Sequence, residues 1–577
     1  FFLNEKKRRT KKNKTEKSPF PFGHNYCAAA SVIMAAGAAL LECVPNFSEG
    51  RRKEVIEGIA AAVKSVNGVQ LLDVDPSVSA NRTVYTFVGG PEDVVEAALH
   101  ACRVAHQLID MSGHKGEHPR LGALDVCPFI PVANACMADA VRCANEFARR
   151  LAADLHVPVY LYQDAAVKGP HRVSLPSIRA GEYEGLAAKI KLADWVPDYG
   201  PAEFVPSWGA TVCGARPFLI AYNVNMLSTK EQAHRVALDI REQGRSKDEP
   251  GKFKSCRAIG WYLSDENMAQ VSINLTDFTV TSMHQVYEEC KAISQSLSLA
   301  VVGSQLVGLV PLQAMLDSAR HYMHSENLFI TDEAQQIRLV VERLGLDSVE
   351  KFRPEERIIE YVVGLNKRGP LLSSTLDGFV RELGSRSSAP GGGSAAAVIA
   401  AMGAGLGAMT GWMTYGKRKF ESLDKQMRAA IGPLDAAMKE LLPLVDADTD
   451  AFKAYTSALG LAKSTEEEKA RRTEAVRVAS LQTVNVPLSV MRICDKCWEH
   501  LHVLAAHGNI NCKSDLQVGA KSLETGVFGA YQNVRINLPS ITDTDLRAKI
   551  SSEADAVYTR AVQQCKLLLD AVDERST

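Results

Sequence analysis

The sequence predicts an α+β region built from two ferredoxin-like subdomains, followed by an all-α helical bundle. Three observations predict this. Between residues 40 and 302, strand and helix patterns run twice in the order β-α-β-β-α-β, the order of a split unit with an antiparallel sheet and helices on one side. Beyond residue 375 the strand pattern disappears, and long helical stretches with few β-branched runs replace it. The length of 577 residues is several times that of one domain, so more than one core is expected.

In the first pass, residues 41–44 read as a strand and residues 52–66 as a helix with Val55, Ile56, Ile59 and Val63 on one face. Residues 69–74 and 82–88 are strands. Pro91 opens a helix at its first turn, striped by Val94, Val95, Ala98, Cys102, Ala105 and Ile109, and residues 123–132 close the unit as a strand. A helix (138–155) and a strand (157–162) extend it. Residues 195–214, rich in Pro, Gly and Trp, interrupt the pattern as functional loops do.

The second pass has strands at 218–224, 258–263, 270–275 and 299–302, and helices at 230–242 and 283–298. The passes share element order and no residue-level repeat. Residues 364–375 carry the turn residues of a linker. Residues 374–377 fit a helix N-cap, and helices at 423–442, 466–483 and 543–569 build the bundle. The expected division is a basic leader (1–36), two subdomains (37–217 and 218–363), a linker (364–371) and a helical domain (372–577).

At 46% hydrophobic and 23% charged residues the composition is that of a globular protein. Residues 1–17 hold eight Lys or Arg against two Glu in a chain of net charge −1. The remainder is therefore net acidic, which argues against a body built to bind nucleic acid. No apolar stretch follows the basic run, so a signal peptide is unsupported. The run reads as a localisation or nucleic-acid arm or, more plainly, as leader ahead of a start near Met34. Thirteen cysteines without regular spacing point to reduced, buried thiols in a cytosolic protein.

His114, Glu117 and His118 match H-x-x-E-H, which binds zinc only on a helix. Gly113, Gly116 and Pro119 oppose a helix here, so the segment is expected to be a loop whose histidine suits acid–base work rather than metal. Asp446, Asp448 and Asp450 lack the Gly and Glu of a calcium loop. On a helix Asp446 and Asp450 share a face while Asp448 points elsewhere, so at least one carboxylate is expected to face the bundle interior, although the charge run by itself favours a solvated surface. Residues 395–413 are uncharged and long enough to cross a membrane. Gly403, Gly407 and Gly411 at spacings of four favour close packing in a soluble bundle instead, and no transmembrane segment is expected. The preceding glycines can offer N–H groups to an anion, but no Walker lysine follows. Cys494 and Cys497 read as core thiols, with His500 and His502 diverging from them.

Eight stretches together resemble the bifunctional formimidoyltransferase-cyclodeaminase family. They are CVPNFSEG (43–50), LLDVD (71–75), NRTVYTFVG (81–89), HKGEHPRLGALDVCPFIPV (114–132), FVPSWGA (204–210), SAPGGGS (388–394), LVDAD (444–448) and SDLQVGAKSLETGVFGAY (514–531). The resemblance runs through both domains and leaves out only the basic leader. It implies transfer of a formimino group from N-formimino-L-glutamate to N5 of tetrahydrofolate, then ring closure with loss of ammonia to 5,10-methenyltetrahydrofolate.

By the same resemblance, His118 is the acid–base residue of the transferase and Asp448 acts in the cyclodeaminase, which reverses the surface reading of that aspartate. Asp75 is expected to orient or tune His118, and Arg82 or Arg120 to hold substrate carboxylates. Gly200, Pro201, Ala202, Glu203, Phe204, Val205, Pro206, Ser207, Trp208 and Gly209 match the folate-binding segment, with Phe204 and Trp208 expected to cover a flat ring. The resemblance also implies polyglutamylated tetrahydrofolate as cosubstrate, no metal, and a ring-shaped homo-octamer. Family members are cytosolic, with links to the Golgi surface and intermediate filaments. Two rival readings are a catalytically silent scaffold that binds a cytoskeletal partner and a metal-dependent hydrolase using His114, Glu117 and His118. The presence of both His118 and Asp448 argues against the scaffold.

Overall fold

A computed structural model describes residues 39–575 apart from 170–171, 265 and 366–368; the expectations for residues 1–36 lie outside these. A sheet-containing region is followed by a helical one. The first sheet and its helices comprise β1 (Leu40–Cys43), β2 (Asn46–Phe47), α1 (Lys53–Lys64), β3 (Val69–Ser77), β4 (Arg82–Gly89), α2 (Pro91–Leu108), β5 (Leu124–Ala133), α3 (Met137–Leu155), β6 (Val159–Gln163), α4 (Leu175–Arg179), α5 (Glu182–Lys189) and β7 (Thr211–Ala215). Val55, Ile59 and Val63 of α1 and the apolar stripe of α2 are buried against this sheet, as their 3.6-residue spacing requires.

Two expectations need correction here. Strand β7 begins within residues 195–214, which are therefore not wholly a loop. It sits between β5 and β6 and pairs with both in parallel, so the sheet is mixed rather than antiparallel throughout. All five residues of β7 are buried, and a strand covered on both faces shows no polar–apolar alternation to read. Helices α4 and α5 have five and eight residues, too few for a helical period to register.

The second subdomain contains β8 (Ile220–Leu227), α6 (Lys230–Ile240), β9 (Cys256–Leu263), β10 (Met268–Leu275), α7 (Met283–Ser296), β11 (Ala300–Val307), α8 (Leu312–Ser325), α9 (Glu333–Leu344), α10 (Pro354–Arg357) and α11 (Ile359–Val362). Its four strands are antiparallel in the order β11-β8-β10-β9. Ile220, Tyr222, Val224 and Met226 alternate into its core, which Leu40, Val88 and Ile130 of the first sheet join. The two subdomains therefore share buried surface.

The helical region holds α12 (Pro370–Ser373), α13 (Leu376–Leu383), α14 (Gly392–Trp412), α15 (Asp424–Leu441), α16 (Leu444–Leu459), α17 (Glu466–His507), α18 (Lys513–Asn537) and α19 (Thr544–Glu574). Thr375 caps α13 by accepting from the Gly378 N–H at 3.0 Å. Thr465 and Glu468 form a capping box at the start of α17. That helix does not end near residue 483 but runs on through Pro487, because packing holds a helix that proline alone would interrupt.

Among the described residues α14 is the one helix long and apolar enough to cross a membrane. Its glycines face neighbouring helices: a β-carbon on Gly403 would lie 2.7 Å from the Leu523 nitrogen, and one on Gly411 2.4 Å from an Ile431 side-chain carbon. This close approach is the purpose of the spacing of four. Cys494 and Cys497 are buried in the same core.

Candidate functional site

Residues 114–120 form an irregular loop between α2 and β5, so the helical zinc geometry of H-x-x-E-H is absent. The loop is nonetheless fixed. His114 Nε2 donates to the Asn81 carbonyl at 2.9 Å, and Asn81 Nδ2 donates to the Lys115 carbonyl at 3.1 Å. A β-carbon on Gly116 would fall 2.1 Å from the Ala80 carbonyl oxygen, so only glycine allows this approach.

His118, half-buried, extends from this loop toward Arg82 on β4. An Arg82 Nη1 lies 2.7 Å from His118 Nε2, and Nδ1 lies 2.7 Å from the Pro119 carbonyl. A guanidinium only donates, so Nδ1 carries the hydrogen and Nε2 presents its lone pair to Arg82. Burial, and after it the Arg82 charge, hold the imidazole below its ordinary pKa of 6.5. It is a neutral base at neutral pH.

The same geometry redistributes the other expected roles. The Asp75 carboxylate is exposed on β3 and forms no hydrogen bond to His118 among the described residues; it acts through its charge on Arg82. Arg120 is 7% exposed, and its guanidinium is already taken by Glu184 at 2.6 Å, Glu182 at 3.2 Å and the His114 carbonyl at 3.1 Å. It braces the loop and has no fork left for a substrate carboxylate. Arg82 keeps that role open.

The segment 200–209 lies against the His118 loop. The Trp208 carbonyl accepts from Ala123 N–H at 2.7 Å, and Ser207 carbonyl from Met111 N–H at 3.0 Å. Gly209, at φ +77°, brings its α-carbon against the Leu121 carbonyl, where a β-carbon would sit at 2.3 Å. Trp208 does not cover a ligand: it is 1% exposed, and its indole N–H donates to Thr211 Oγ1 at 3.0 Å. Phe204 is half-buried, 5.3 Å from the Tyr183 ring, and remains the aromatic face of this segment.

Two further residues of the site are absent from the sequence-based expectations. Asp125 is fully buried at the start of β5, accepts from Leu121 N–H at 2.9 Å, and pairs with Arg179 of α4. Both charges act on Arg82 and His118. Asp125 could have been suspected as a carboxylate within an apolar strand; Arg179 could not.

In the helical region Asp448 points to the N-terminus of α14. Ser394 Oγ donates to Asp448 Oδ2 at 3.2 Å and lies 3.1 Å from Thr449 Oγ1. A β-carbon on Gly393 would fall 2.1 Å from Asp448 Oδ1. Burial raises the Asp448 pKa, and the hydrogen bonds from Ser394 oppose part of that rise. The expectation of a solvated acidic face fails for Asp446 too. It is buried and accepts from Leu371 N–H at 2.8 Å and Leu372 N–H at 3.2 Å, capping α12. Only Asp450 of the three is exposed. Among the described residues no three His, Cys, Asp or Glu side chains converge as metal ligands.

Comparison with known proteins finds matches in both the sheet-containing and the helical region. Residues 40–216 match the formiminotransferase domain, N-terminal subdomain; residues 221–364 the formiminotransferase domain; and residues 375–556 formiminotransferase-cyclodeaminase. The chain is 58% identical to formimidoyltransferase-cyclodeaminase of Sus scrofa over 93% of this chain and 99% of that one. It is 52% identical to formimidoyltransferase-cyclodeaminase of Dictyostelium discoideum, with the same coverage of 93% and 99%. Glutamate formimidoyltransferase of Streptococcus pyogenes serotype M1 is 40% identical over 50% of this chain and 95% of that one.

Proposed function

Because this chain belongs to the formimidoyltransferase-cyclodeaminase family, we propose that it carries out both reactions of a bifunctional folate enzyme. The first moves the formimino group of N-formimino-L-glutamate to N5 of tetrahydrofolate. The second closes N10 onto the amidine carbon, expels ammonia and yields 5,10-methenyltetrahydrofolate. The observation that carries the transferase half is the neutral His118 imidazole with Arg82 on its Nε2. A substrate carboxylate that draws Arg82 away frees the Nε2 lone pair, which takes the N5 proton and returns it to the departing glutamate nitrogen. Segment 200–209, stitched to the same loop, is read as the folate cradle with Phe204 as its aromatic face.

In the second site, ammonia leaves only if its nitrogen is protonated. Asp448, with its pKa raised by burial, holds a proton more readily than an exposed carboxyl and supplies it there. Ser394 orients the carboxylate.

The reading extends to finer points. The strand order β11-β8-β10-β9, and the order β3-β4-β1-β5 within the first sheet, support ferredoxin-like subdomains, with the domain division given above. A polyglutamylated cosubstrate, a ring-shaped octamer, a cytosolic location and contacts with the Golgi surface and intermediate filaments rest on the family resemblance. Sedimentation and cell fractionation test the last three. The activity itself is tested by mixing the purified chain with N-formimino-L-glutamate and tetrahydrofolate while following ammonia and methenyltetrahydrofolate absorbance. Both products are expected; glutamate release without ammonia would leave a transferase alone, and neither product would overturn the reading.

A further inference from the structure

Tyr183, on the first turn of α5, touches both the loop that carries His118 and segment 200–209. Its N–H donates to the Arg120 carbonyl at 2.9 Å. Its phenol O–H donates to the Pro206 carbonyl at 2.5 Å, and its ring lies 5.3 Å from that of Phe204, tilted by 55°. A β-carbon on Gly209 would fall 3.0 Å from the Tyr183 ring, so the ring also closes over the end of the segment. The Arg120 guanidinium stands 5.7 Å from the ring centroid, within reach of a cation–π contact. One side chain thus fixes the separation between the acid–base loop and the segment read as the folate cradle.

The chain reaches this placement through strain. Glu182 has φ +52°, a left-handed conformation that a side-chain-bearing residue holds only where its surroundings impose it. Its carboxylate lies 3.2 Å from Arg120, so the guanidinium that braces the loop also fixes the turn that delivers Tyr183. Phe204 and Tyr183 are both only partly buried, and two tilted rings with free surface suit contact with a third, flat ring. We propose that Tyr183 is a further residue of the folate site, an inference that rests on the folate reading above. Its ring extends the aromatic face of Phe204 toward a flat ring of tetrahydrofolate, and its hydrogen bonds to Arg120 and Pro206 hold that face in register with His118. N-formimino-L-glutamate has no ring, so the contact acts on one of the two substrates and not on the other.

The test measures formimino transfer by the full chain, with separate KM values for tetrahydrofolate and N-formimino-L-glutamate, and tetrahydrofolate binding by calorimetry, for wild type, Tyr183→Phe, Tyr183→Ala and Phe204→Ala. Tyr183→Ala is expected to raise KM for tetrahydrofolate and weaken its binding about tenfold, the scale of one lost ring contact, with KM for N-formimino-L-glutamate unchanged. Tyr183→Phe keeps the ring and loses only the hydrogen bond to Pro206, so a rise of about threefold is expected. A merely structural tyrosine would lower the denaturation midpoint and leave both KM values in place, which overturns the proposal. So does an equal rise in both KM values, the mark of general distortion. If Tyr183→Ala does not fold, Tyr183→Phe with wild-type KM and binding for tetrahydrofolate overturns it. Phe204→Ala separates the two readings: weakened folate binding there with none in Tyr183→Ala overturns the role of Tyr183 alone, whereas unchanged binding in both overturns the folate reading of segment 200–209 and this proposal with it.

Discussion

An Nη1 of Arg82 stands 2.7 Å from Nε2 of His118, so the guanidinium occupies the lone pair that the transferase reaction needs. This contact stores the base in its neutral form. With its pKa below 6.5 through burial and then through Arg82, His118 stays unprotonated at neutral pH and charges only as the pH falls through that lowered value. The acidic limb of kcat/KM for formimino transfer is therefore expected below pH 6.5. Arg82→Ala removes the larger of the two charges that lower it, Arg82 and Arg179, so the limb moves to higher pH while KM for N-formimino-L-glutamate rises. A limb that stays in place would show that Arg82 does not act on the imidazole. His118→Ala is expected to stop transfer and leave cyclisation intact.

Asp448 and Gly393 give a second, independent prediction. Asp448→Ala is expected to abolish ammonia release while formimino transfer continues. Gly393→Ala alters no titratable group, yet its β-carbon would fall 2.1 Å from Asp448 Oδ1, displacing either the carboxylate or the start of α14. Cyclodeamination is expected to fall by about tenfold or more, on the scale of misplacing a catalytic group, with transfer unchanged. Wild-type ammonia release from Gly393→Ala would remove the N-terminus of α14 from the site.

The sequence made the alternating elements legible because one buried face leaves a period, as in α1 with Val55, Ile59 and Val63 and β8 with Ile220, Tyr222, Val224 and Met226. It hid β7, which is buried on both faces and has no period to show. In the sites, loop chemistry was readable from glycine and proline around His114 and His118. Partners brought by distant segments were not: Arg179 reaches Asp125 across 54 positions, and Leu371 and Leu372 reach Asp446 across 75 and 74. Charge type marked Arg82 and Arg120 equally, and only the carboxylates of Glu182 and Glu184 distinguish the brace from the binder.

That distinction is testable with Arg120→Lys. The substitution keeps a positive charge for any substrate carboxylate but loses the fork that joins Glu184, Glu182 and the His114 carbonyl. If Arg120 is a brace, the first subdomain loses about 1.5–3 kcal/mol, the range for hydrogen bonds involving charged groups, read as a lower denaturation midpoint. KM for N-formimino-L-glutamate then changes little. Unaltered stability with a raised KM would return Arg120 to the substrate.

The last prediction concerns Glu42, which no step of the mechanism uses. It lies on β1 between Val88 and Ile130, on the sheet face whose neighbours Leu40, Val88 and Ile130 pack into the second subdomain. Burial pushes its pKa up to about 7 from 4.5, and the Arg216 charge only partly opposes this. The unfolded chain thus loses this proton at lower pH than the folded one, so between about 4.5 and 7 the native state binds more protons and stability falls as pH rises. Above pH 7 the penalty is complete, on the order of 3 kcal/mol at 1.36 kcal/mol per pKa unit. Glu42→Gln keeps the shape without the charge. It is expected to raise the denaturation midpoint at pH 8, leave it nearly unchanged at pH 4.5, and flatten the slope between them. Equal stability of the two proteins at pH 8 would mean that the subdomain junction solvates this carboxylate and that its burial has no energetic consequence.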